Sequence, residues 1–317
     1  MYTLVCPPDS PCGCGSGREF GKCCLKDGNI RTKPKLLDPP KPTTGHTHPK
    51  CALNWTNDCD PKISGDHFVS KSVLKVLGGG RIKITTRDFS REHSLDSSSL
   101  KTKKLCRRHN SALSPIDAEA ARFFSAFVSI HGALEGLNAS QKFYFFSGID
   151  IDRWMIKTLL MVYYAKLSNI TPDTHNLPVH AKKMFTWDLG SPYGIYFRTK
   201  MDSGDEGRFR VEGATTVQIH TAGKTVVGVT ISLGGFPMTL IFHGNPRKFG
   251  ISKESHAYRP KNLVFFKGDD VYCIAMAYPK WKGEDIWISN GDSNAPIPSN
   301  ESAEQADADK PDPASSD

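Results

Sequence analysis

The placement of nine cysteines constrains this chain's fold more than any other feature of its sequence. Seven of them, all between residues 12 and 106, fall into two sets, and a histidine completes the second set. The amino terminus lacks the charged start and apolar core of a signal peptide, so we expect a protein of the reducing cytoplasm. There, clustered cysteines with nearby histidines are better explained by metal binding than by disulfide bonds.

The first set lies in residues 1–25 and consists of two cysteine pairs. Cys12 and Cys14 stand two positions apart, and Cys23 and Cys24 follow after eight residues of turn-forming and basic character. Four thiolates at this spacing can surround a tetrahedral zinc ion, and so short a segment needs the metal to fold. The alternative is a thiol-rich tail without metal.

These residues resemble the SEC-C motif, which is known from the carboxyl-terminal tail of the bacterial translocase SecA. The family pattern, Cys-x-Cys-x8-Cys followed by Cys or His, is matched, although Gly13 stands where a proline is usual. The resemblance covers this short segment alone. It implies a small zinc knuckle that docks on a protein partner, and a purely structural cap on the terminus is the alternative.

The second set brackets residues 50–117 and also consists of two pairs. Cys51 pairs with Cys59, and Cys106 pairs with His109 at the predicted start of a helix. Two such pairs can hold one zinc ion between distant parts of the chain. We therefore expect a second structural zinc site.

The residues between these two pairs predict two strands. A short strand covers residues 66–69, and a second strand covers 81–85 after a Gly79-Gly80 turn. The helix that opens at Cys106 follows. The expected order is therefore strand, strand, helix, the ββα plan.

This module resembles the HNH endonuclease family in its zinc-binding, treble-clef form. The family's first signature matches Asp66-His67-Phe68-Val69, and its closing signature matches the segment from Leu105 to Ser114. The resemblance implies that Asp66 and Asn110 bind Mg²⁺ or Mn²⁺ through hard oxygen atoms. It also implies that His67, with a pKa near neutrality, deprotonates the attacking water.

The sequence departs from the HNH pattern at three places. Seven residues separate Cys51 from Cys59 where two are typical, and His109 replaces the usual fourth cysteine. The asparagine that normally holds the catalytic histidine is not evident in residues 94–100, where Asp96 is a weak substitute. A treble clef that folds or binds DNA without hydrolysis therefore stays open.

Charge indicates a polyanionic partner. The formal charge is +8, but residues 291–317 hold seven acidic side chains and one lysine, which leaves +14 on residues 1–290. Basic residues that flank the second metal set can contact backbone phosphates; they are Lys101, Lys103, Lys104, Arg107 and Arg108. We expect nucleic acid, double-stranded DNA first, as the partner, and a generally basic, solvated surface is the alternative.

The rest of the chain predicts an α+β protein. Residues 118–188 have helical periodicity, and residues 189–290 alternate as in an antiparallel sheet or small barrel packed on helices. The Pro- and Lys-rich residues 26–49 predict a semi-extended linker, and residues 291–317 predict a disordered acidic tail. No run is long and apolar enough to cross a membrane, so no membrane role is expected.

Two functions are consistent with these features. The first is a metal-dependent HNH-type endonuclease that hydrolyses phosphodiester bonds, with two structural zinc ions and a catalytic Mg²⁺ or Mn²⁺. The second is a non-catalytic zinc protein that binds nucleic acid or a protein partner through its two zinc modules. Convergence of Asp66, His67 and Asn110 on one exposed point beside the zinc would favour the enzyme.

Overall fold

The computed structural model describes residues 6–77, 81–86, 92–96, 101–137, 141–165, 184–185, 189–190, 192–198, 215–233, 236–278, 283 and 285–289. The acidic tail predicted at 291–317 lies outside the described residues. Residues 166–183 of the predicted helical region also lie outside them. Among the described residues, no helix is both long and apolar enough to span a bilayer.

The described chain is a mixed α+β structure with several sheets and few helices. The strands are β1 (Leu25–Lys26), β2 (Asn29–Ile30), β3 (Ile63–His67), β4 (Arg81–Thr86), β5 (Glu92–Asp96), β6 (Lys101–Cys106), β7 (Phe143–Ser147), β8 (Gly194–Arg198), β9 (Thr215–Ala222), β10 (Thr225–Leu233), β11 (Phe236–Ile241), β12 (His256–Tyr258), β13 (Asn262–Lys267), β14 (Asp270–Ala277) and β15 (Asp285–Ser289). The α-helices are α1 (Lys71–Val76), α2 (Arg107–Leu134) and α3 (Gly148–Tyr164).

Two large open sheets form the body of the molecule. One has seven strands in the order β12-β8-β11-β10-β9-β4-β5, and the other has four in the order β15-β13-β14-β7. Neighbouring strands of the larger sheet are antiparallel except β4 and β9, which run parallel with Ile84 opposite Val217. In the smaller sheet β7 is parallel to β14, and β15 is parallel to β13. Strands β3 and β6 form a separate two-stranded ribbon.

Helix α3 lies in the centre of this structure. It packs against α2 and against strands of both large sheets, and every residue from Gly148 to Tyr163 is buried. Its charged side chains are held in ion pairs: Arg153 lies 3.3 Å from Asp150, and the guanidinium of Arg259 lies 2.9 Å from Asp152. Buried charges of this kind persist only when they are paired.

Several predicted elements are confirmed at the level of the single strand. The β-branched alternation beyond residue 189 gives β8, β9, β10, β11 and β13 close to the expected positions. The small barrel is wrong, because within the described chain both large sheets end in unpaired edge strands. The Phe-rich β7 is an addition within a region predicted to be helical.

The ββα plan has different partners from those expected. The strand predicted at 81–85 is present as β4, but it pairs with β5 and β9 in the larger sheet. Strand β3 pairs instead with β6, which leads directly into α2. Helix α2 begins at Arg107, directly after Cys106 as predicted, and continues to Leu134 with Pro115 inside it.

Candidate metal centres

The second cysteine set converges where the β3–β6 ribbon meets α2. Cys51, Cys59, Cys106 and His109 are all buried, and their ligand atoms lie within 4.8 Å of one another. The Nδ1 atom of His109 lies 3.1, 3.5 and 3.8 Å from the Sγ atoms of Cys106, Cys51 and Cys59. A tetrahedral zinc ion with Zn–S of about 2.3 Å and Zn–N of about 2.0 Å needs N···S separations of about 3.5 Å. The four side chains could therefore hold one zinc ion.

Backbone groups prepare these sulfur atoms for a cation. The amide of Asp60 lies 3.3 Å from the Sγ of Cys106, and the amide of Cys106 lies 3.4 Å from the Sγ of Cys51. The Cys106 sulfur also accepts from the His109 amide and so caps the start of α2. Burial raises the pKa of the Cys51 thiol to about 12, so this thiol would ionise near neutral pH only with the charge of a bound cation beside it.

Thr56 orients the histidine ligand, a role that the sequence did not reveal. The Nε2 of His109 lies 2.9 Å from the Thr56 hydroxyl, which donates in turn to the carbonyl of Leu53 at 2.8 Å. This arrangement fixes the tautomer in which Nδ1 is free to bind a metal. Thr56 stands in a 3-10 turn within the long Cys51–Cys59 loop. The long loop that departs from the HNH pattern thus contains the residue that orients His109.

Arg108 is part of the scaffold of this centre. Its guanidinium lies 2.9 Å from a carboxylate oxygen of the buried Asp58 and donates to the carbonyls of Pro40 and Pro42. The same carboxylate accepts from the amide of Thr44. Residues 40–44 are therefore held against the metal centre, and the charge of Arg108 is already compensated, which leaves it poorly placed for phosphate binding.

The first cysteine set also converges. The Sγ atoms of Cys12, Cys14, Cys23 and Cys24 lie within 4.8 Å of one another, and those of Cys14 and Cys23 are 3.5 Å apart. The S···S edge expected around zinc is about 3.8 Å. Cys12 and Cys24 are buried, whereas Cys14 and Cys23 are partly exposed. This set could hold a second zinc ion, at a more open site than the first.

Gly13 explains the departure of this segment from the SEC-C pattern. Its carbonyl accepts from the amide of Phe145 in β7 at 3.0 Å and from Arg122 at 2.9 Å. A Cβ atom at this position would lie 2.5 Å from the carbonyl oxygen of Phe143. Neither proline nor any other larger residue fits, because the cysteine loop lies directly on the smaller sheet.

Asp66 lies in a buried ion cluster. Its carboxylate is 2.9 Å from the ammonium of Lys157 in α3, which also lies 2.6 Å from Asp117 in α2. Ser70 donates to Asp117 and accepts from the indole of Trp154. A protein cation thus occupies the position next to Asp66 where the HNH resemblance implied Mg²⁺ or Mn²⁺. In the sequence, this buried ion cluster is indicated only by Lys157, which interrupts the apolar run of α3.

His67 and Asn110 are partly exposed, whereas Asp66 is buried against Lys157 and accepts from the His67 amide at 2.9 Å. His67 is the last residue of β3, directly opposite Lys101. Asn110 lies in the first turn of α2, seven residues before Asp117, a separation of about 10 Å along a helix axis. Within the described chain no hydrogen bond joins the Asn110 side chain to Asp66 or His67.

Comparison of the chain with protein-family models, with curated proteins and with solved structures gives no match. Neither the HNH nor the SEC-C resemblance gains support from these comparisons. The two Cys/His clusters nevertheless fit a zinc-binding protein on their geometry alone.

Proposed function

We propose that this chain is a zinc protein that binds nucleic acid through the exposed face of its β3–β6 ribbon. In this proposal the Cys51 cluster is a structural zinc site that fixes the ribbon to α2. Strands β3 and β6 with α2 form the ββα unit of a treble clef, into which β4 and β5 are inserted. The Cys12 cluster forms a SEC-C-type zinc knuckle.

The observation that carries the proposal is the composition of one ribbon face. Lys101 and Lys103 alternate with the buried Thr102 and are exposed, and His67 stands opposite Lys101. At a bulge in the ribbon, Lys103 and Lys104 of β6 stand opposite the single residue Gly65 of β3. No atom lies within 4 Å of a Cβ added at Gly65. An open glycine between exposed cations allows a phosphate backbone to approach the strand closely.

The exposed charged side chains of this face are cationic, and the carboxylate of Asp66 reaches it only through the amide and the imidazole of His67. The side chain of Asp66 is buried on the opposite face of the ribbon, against Lys157. Burial and then the charge of Lys101 lower the pKa of His67, so its imidazole is neutral at pH 7 and available as a hydrogen-bond partner. Lys104 and Arg107 extend the basic surface toward the metal centre, whereas Arg108 is held by Asp58.

Binding without hydrolysis is favoured because the acidic metal site of the HNH resemblance is neutralised. Lys157 lies between Asp66 and Asp117, and Asn110 lies about two helical turns before Asp117 on α2. A divalent cation at Asp66 would have to displace a buried ammonium group from two carboxylates. Metal binding at Asp66 is therefore disfavoured, because it would break the ion pairs of Lys157 with Asp66 and Asp117.

Phosphodiester hydrolysis is the second candidate, and His67 is the observation in its favour. A neutral, half-buried imidazole next to Lys101 is in the protonation state of a general base and lies beside a group that can bind phosphate. In this alternative His67 deprotonates water, Asn110 contributes to a Mg²⁺ or Mn²⁺ site, and Asp66 must first leave Lys157.

Fluorescence anisotropy with a labelled DNA duplex tests the proposal. We expect the zinc-loaded protein to bind, and Lys101→Ala with Lys103→Ala to weaken binding about tenfold or more at low salt. The slope of log affinity against log salt should fall by about two, because two phosphate contacts are lost. The matched control is Lys26→Ala with Lys224→Ala, two exposed lysines outside the ribbon.

Equal binding by the wild type and the ribbon variant would overturn the proposal. A parallel incubation with plasmid and Mg²⁺ or Mn²⁺ separates the two candidates. Binding without strand cleavage is the expected result. Cleavage that His67→Ala abolishes, with unchanged zinc content, would replace the binding function by the hydrolytic one.

A further inference from the structure

The larger sheet carries a row of polar side chains on its outer face. Tyr258, Tyr196, Thr239 and Thr230 stand in register on β12, β8, β11 and β10. The hydroxyl of Thr230 lies 2.7 Å from both the Thr239 hydroxyl and the Nε2 of His220 on β9. The alternate residues of these strands face the main core. The outer face of the sheet therefore carries hydroxyl and imidazole groups, whereas the inner face is apolar.

Residues 244–253 cover part of this polar face. We call this segment the cover. Its 3-10 turn, Pro246–Phe249, is flanked by two glycines in the left-handed region, Gly244 at φ +84 and Gly250 at φ +78. The Phe249 ring lies 6.1 Å from the His220 ring, and Ile251 packs on Tyr196. Between the cover and the edge of the sheet lies a cavity of about 850 Å³. This volume lies within the range of small-molecule sites in proteins.

The charged groups that line the cavity are cationic or neutral. They are Arg247 and Lys253 from the cover and His256 from β12, and none of the described lining residues is acidic. The Nδ1 of His256 lies 2.9 Å from the Ser255 hydroxyl, which lies 3.0 Å from the hydroxyl of Ser252. These hydrogen bonds orient the imidazole ring at the wall of the cavity. Glu254, which hydrogen-bonds to Ser252 beside the cavity, is a counter-charge to Arg247 and Lys253 but does not line the cavity. The lining itself favours an anion, and an arginine fork suits phosphate oxygens.

The floor of the same cavity is aromatic. The rings of Tyr196 and Tyr258 lie 5.0 Å apart. Their hydroxyls already donate to the carbonyls of Pro192 and Tyr193, at 2.7 and 2.9 Å. The rings thus offer apolar surface to a ligand rather than polar groups. A planar ring is the complementary partner for such a floor.

We propose that this pocket binds a mononucleotide, with its base against Tyr196 and Tyr258 and its phosphate at Arg247 and Lys253. The site lies on the outer face of the larger sheet, and the proposal is independent of nucleic-acid binding by the ribbon. It assigns the chain a small-molecule ligand in addition to a polymeric one.

Isothermal titration calorimetry of the full zinc-loaded chain tests this proposal, with AMP, GMP, CMP and UMP as probes and inorganic phosphate as the ring-free probe. We expect at least one nucleotide to bind about tenfold or more tightly than phosphate. Arg247→Ala and Lys253→Ala should each weaken that binding about tenfold, because each removes a charge-assisted contact. Lys248→Ala is the matched control, since Lys248 is exposed on the same turn but does not line the cavity.

Three results would overturn the site: no binding of any of the four nucleotides, equal affinity for phosphate and nucleotide, or unchanged binding in the Arg247 and Lys253 variants. Thermal unfolding of each variant shows whether the fold is intact. If Arg247→Ala loses its fold, Lys253→Ala decides, because Lys253 is an exposed loop residue.

Discussion

At the scale of single residues, Lys157 determines the chemistry that is open to Asp66. Its ammonium group lies between the carboxylates of Asp66 and Asp117 and is shielded from solvent. Although burial opposes its charge, these carboxylates raise the pKa of Lys157 above its ordinary value, so it stays a cation. Burial, and to a smaller extent the charge of Asp66, raises the pKa of Asp117, whereas Lys157 and the Ser70 hydroxyl oppose this shift.

Lys157→Met is expected to lower the free energy of unfolding by about 3–5 kcal/mol, because two buried carboxylates lose their counter-charge. Guanidinium unfolding monitored by circular dichroism measures this. A triple variant that adds Asp66→Asn and Asp117→Asn should recover most of the loss. The control is Lys142→Met, whose ion pair with Asp270 is exposed and should contribute less than about 1 kcal/mol. Equal losses in the two single variants would show that the cluster does not behave as a buried ion triad.

The eight candidate metal ligands could be predicted from the sequence. The spacing of the first four was sufficient, whereas the second four also needed the resemblance to the HNH family, because the interval from Cys51 to Cys59 is longer than usual. The environment of Asp66 could not be predicted. Its partner Lys157 lies on a helix that packs against both large sheets. The local sequence does not indicate how that helix packs. Thr56 could not be predicted either, because a threonine in a loop has no spacing signature.

At the scale of elements, the cysteine loop at the amino terminus behaves as part of the smaller sheet. Cys12, Cys24 and Phe20 form one apolar cluster with Phe145 of β7 and Cys273 of β14. The rings of Phe20 and Phe145 lie 4.8 Å apart. The loop is therefore held by packing as well as by its own thiols, and its backbone can approach β7 only because residue 13 has no side chain.

Gly13→Ala is expected to lower the free energy of unfolding by about 1–3 kcal/mol, the usual cost of forcing an atom into a packed contact. Thermal and guanidinium unfolding of the zinc-loaded protein measure it. Gly65→Ala is the matched control, because an added Cβ there meets open space, and it should change stability by less than about 0.5 kcal/mol. A tolerated Gly13→Ala would mean that the loop does not lie on β7.

Strand positions could largely be predicted from alternation, but strand partners could not. The strand expected at 81–85 exists as β4, yet its neighbour β9 is more than a hundred residues away in sequence. Alternation reports which residues face a core, and it carries no information about which strand lies alongside. The same limit hid the pairing of β3 with β6.

At the scale of the whole molecule, the two metal centres differ in their exposure to solvent. All four ligands near α2 are buried, whereas two of the four in the amino-terminal loop are partly exposed. The difference should appear in how readily each centre loses its metal.

We expect the purified protein to contain about two equivalents of zinc and to release them to a chromogenic chelator in two phases. The faster phase should come from the amino-terminal loop, because a chelator reaches Cys14 and Cys23 without unfolding the protein. Cys14→Ser should remove the faster phase and Cys59→Ser the slower one. One equivalent by elemental analysis, or loss of the same phase in both variants, would contradict this assignment.

The parallel pairing of β4 with β9, and of β7 with β14, has a consequence for synthesis on the ribosome. Each pair joins a strand made early to one made after more than a hundred further residues. Until the later strands emerge, β7 has no partner in its sheet, and β4 and β5 can pair only with each other. Neither large sheet can therefore form cotranslationally from the first half of the chain. Such non-local pairing slows folding. The amino-terminal loop, with Cys12, Cys14, Cys23 and Cys24, emerges before all of these strands and can therefore become ordered first, by taking up metal. The second set is complete only when Cys106 and His109 have followed β5.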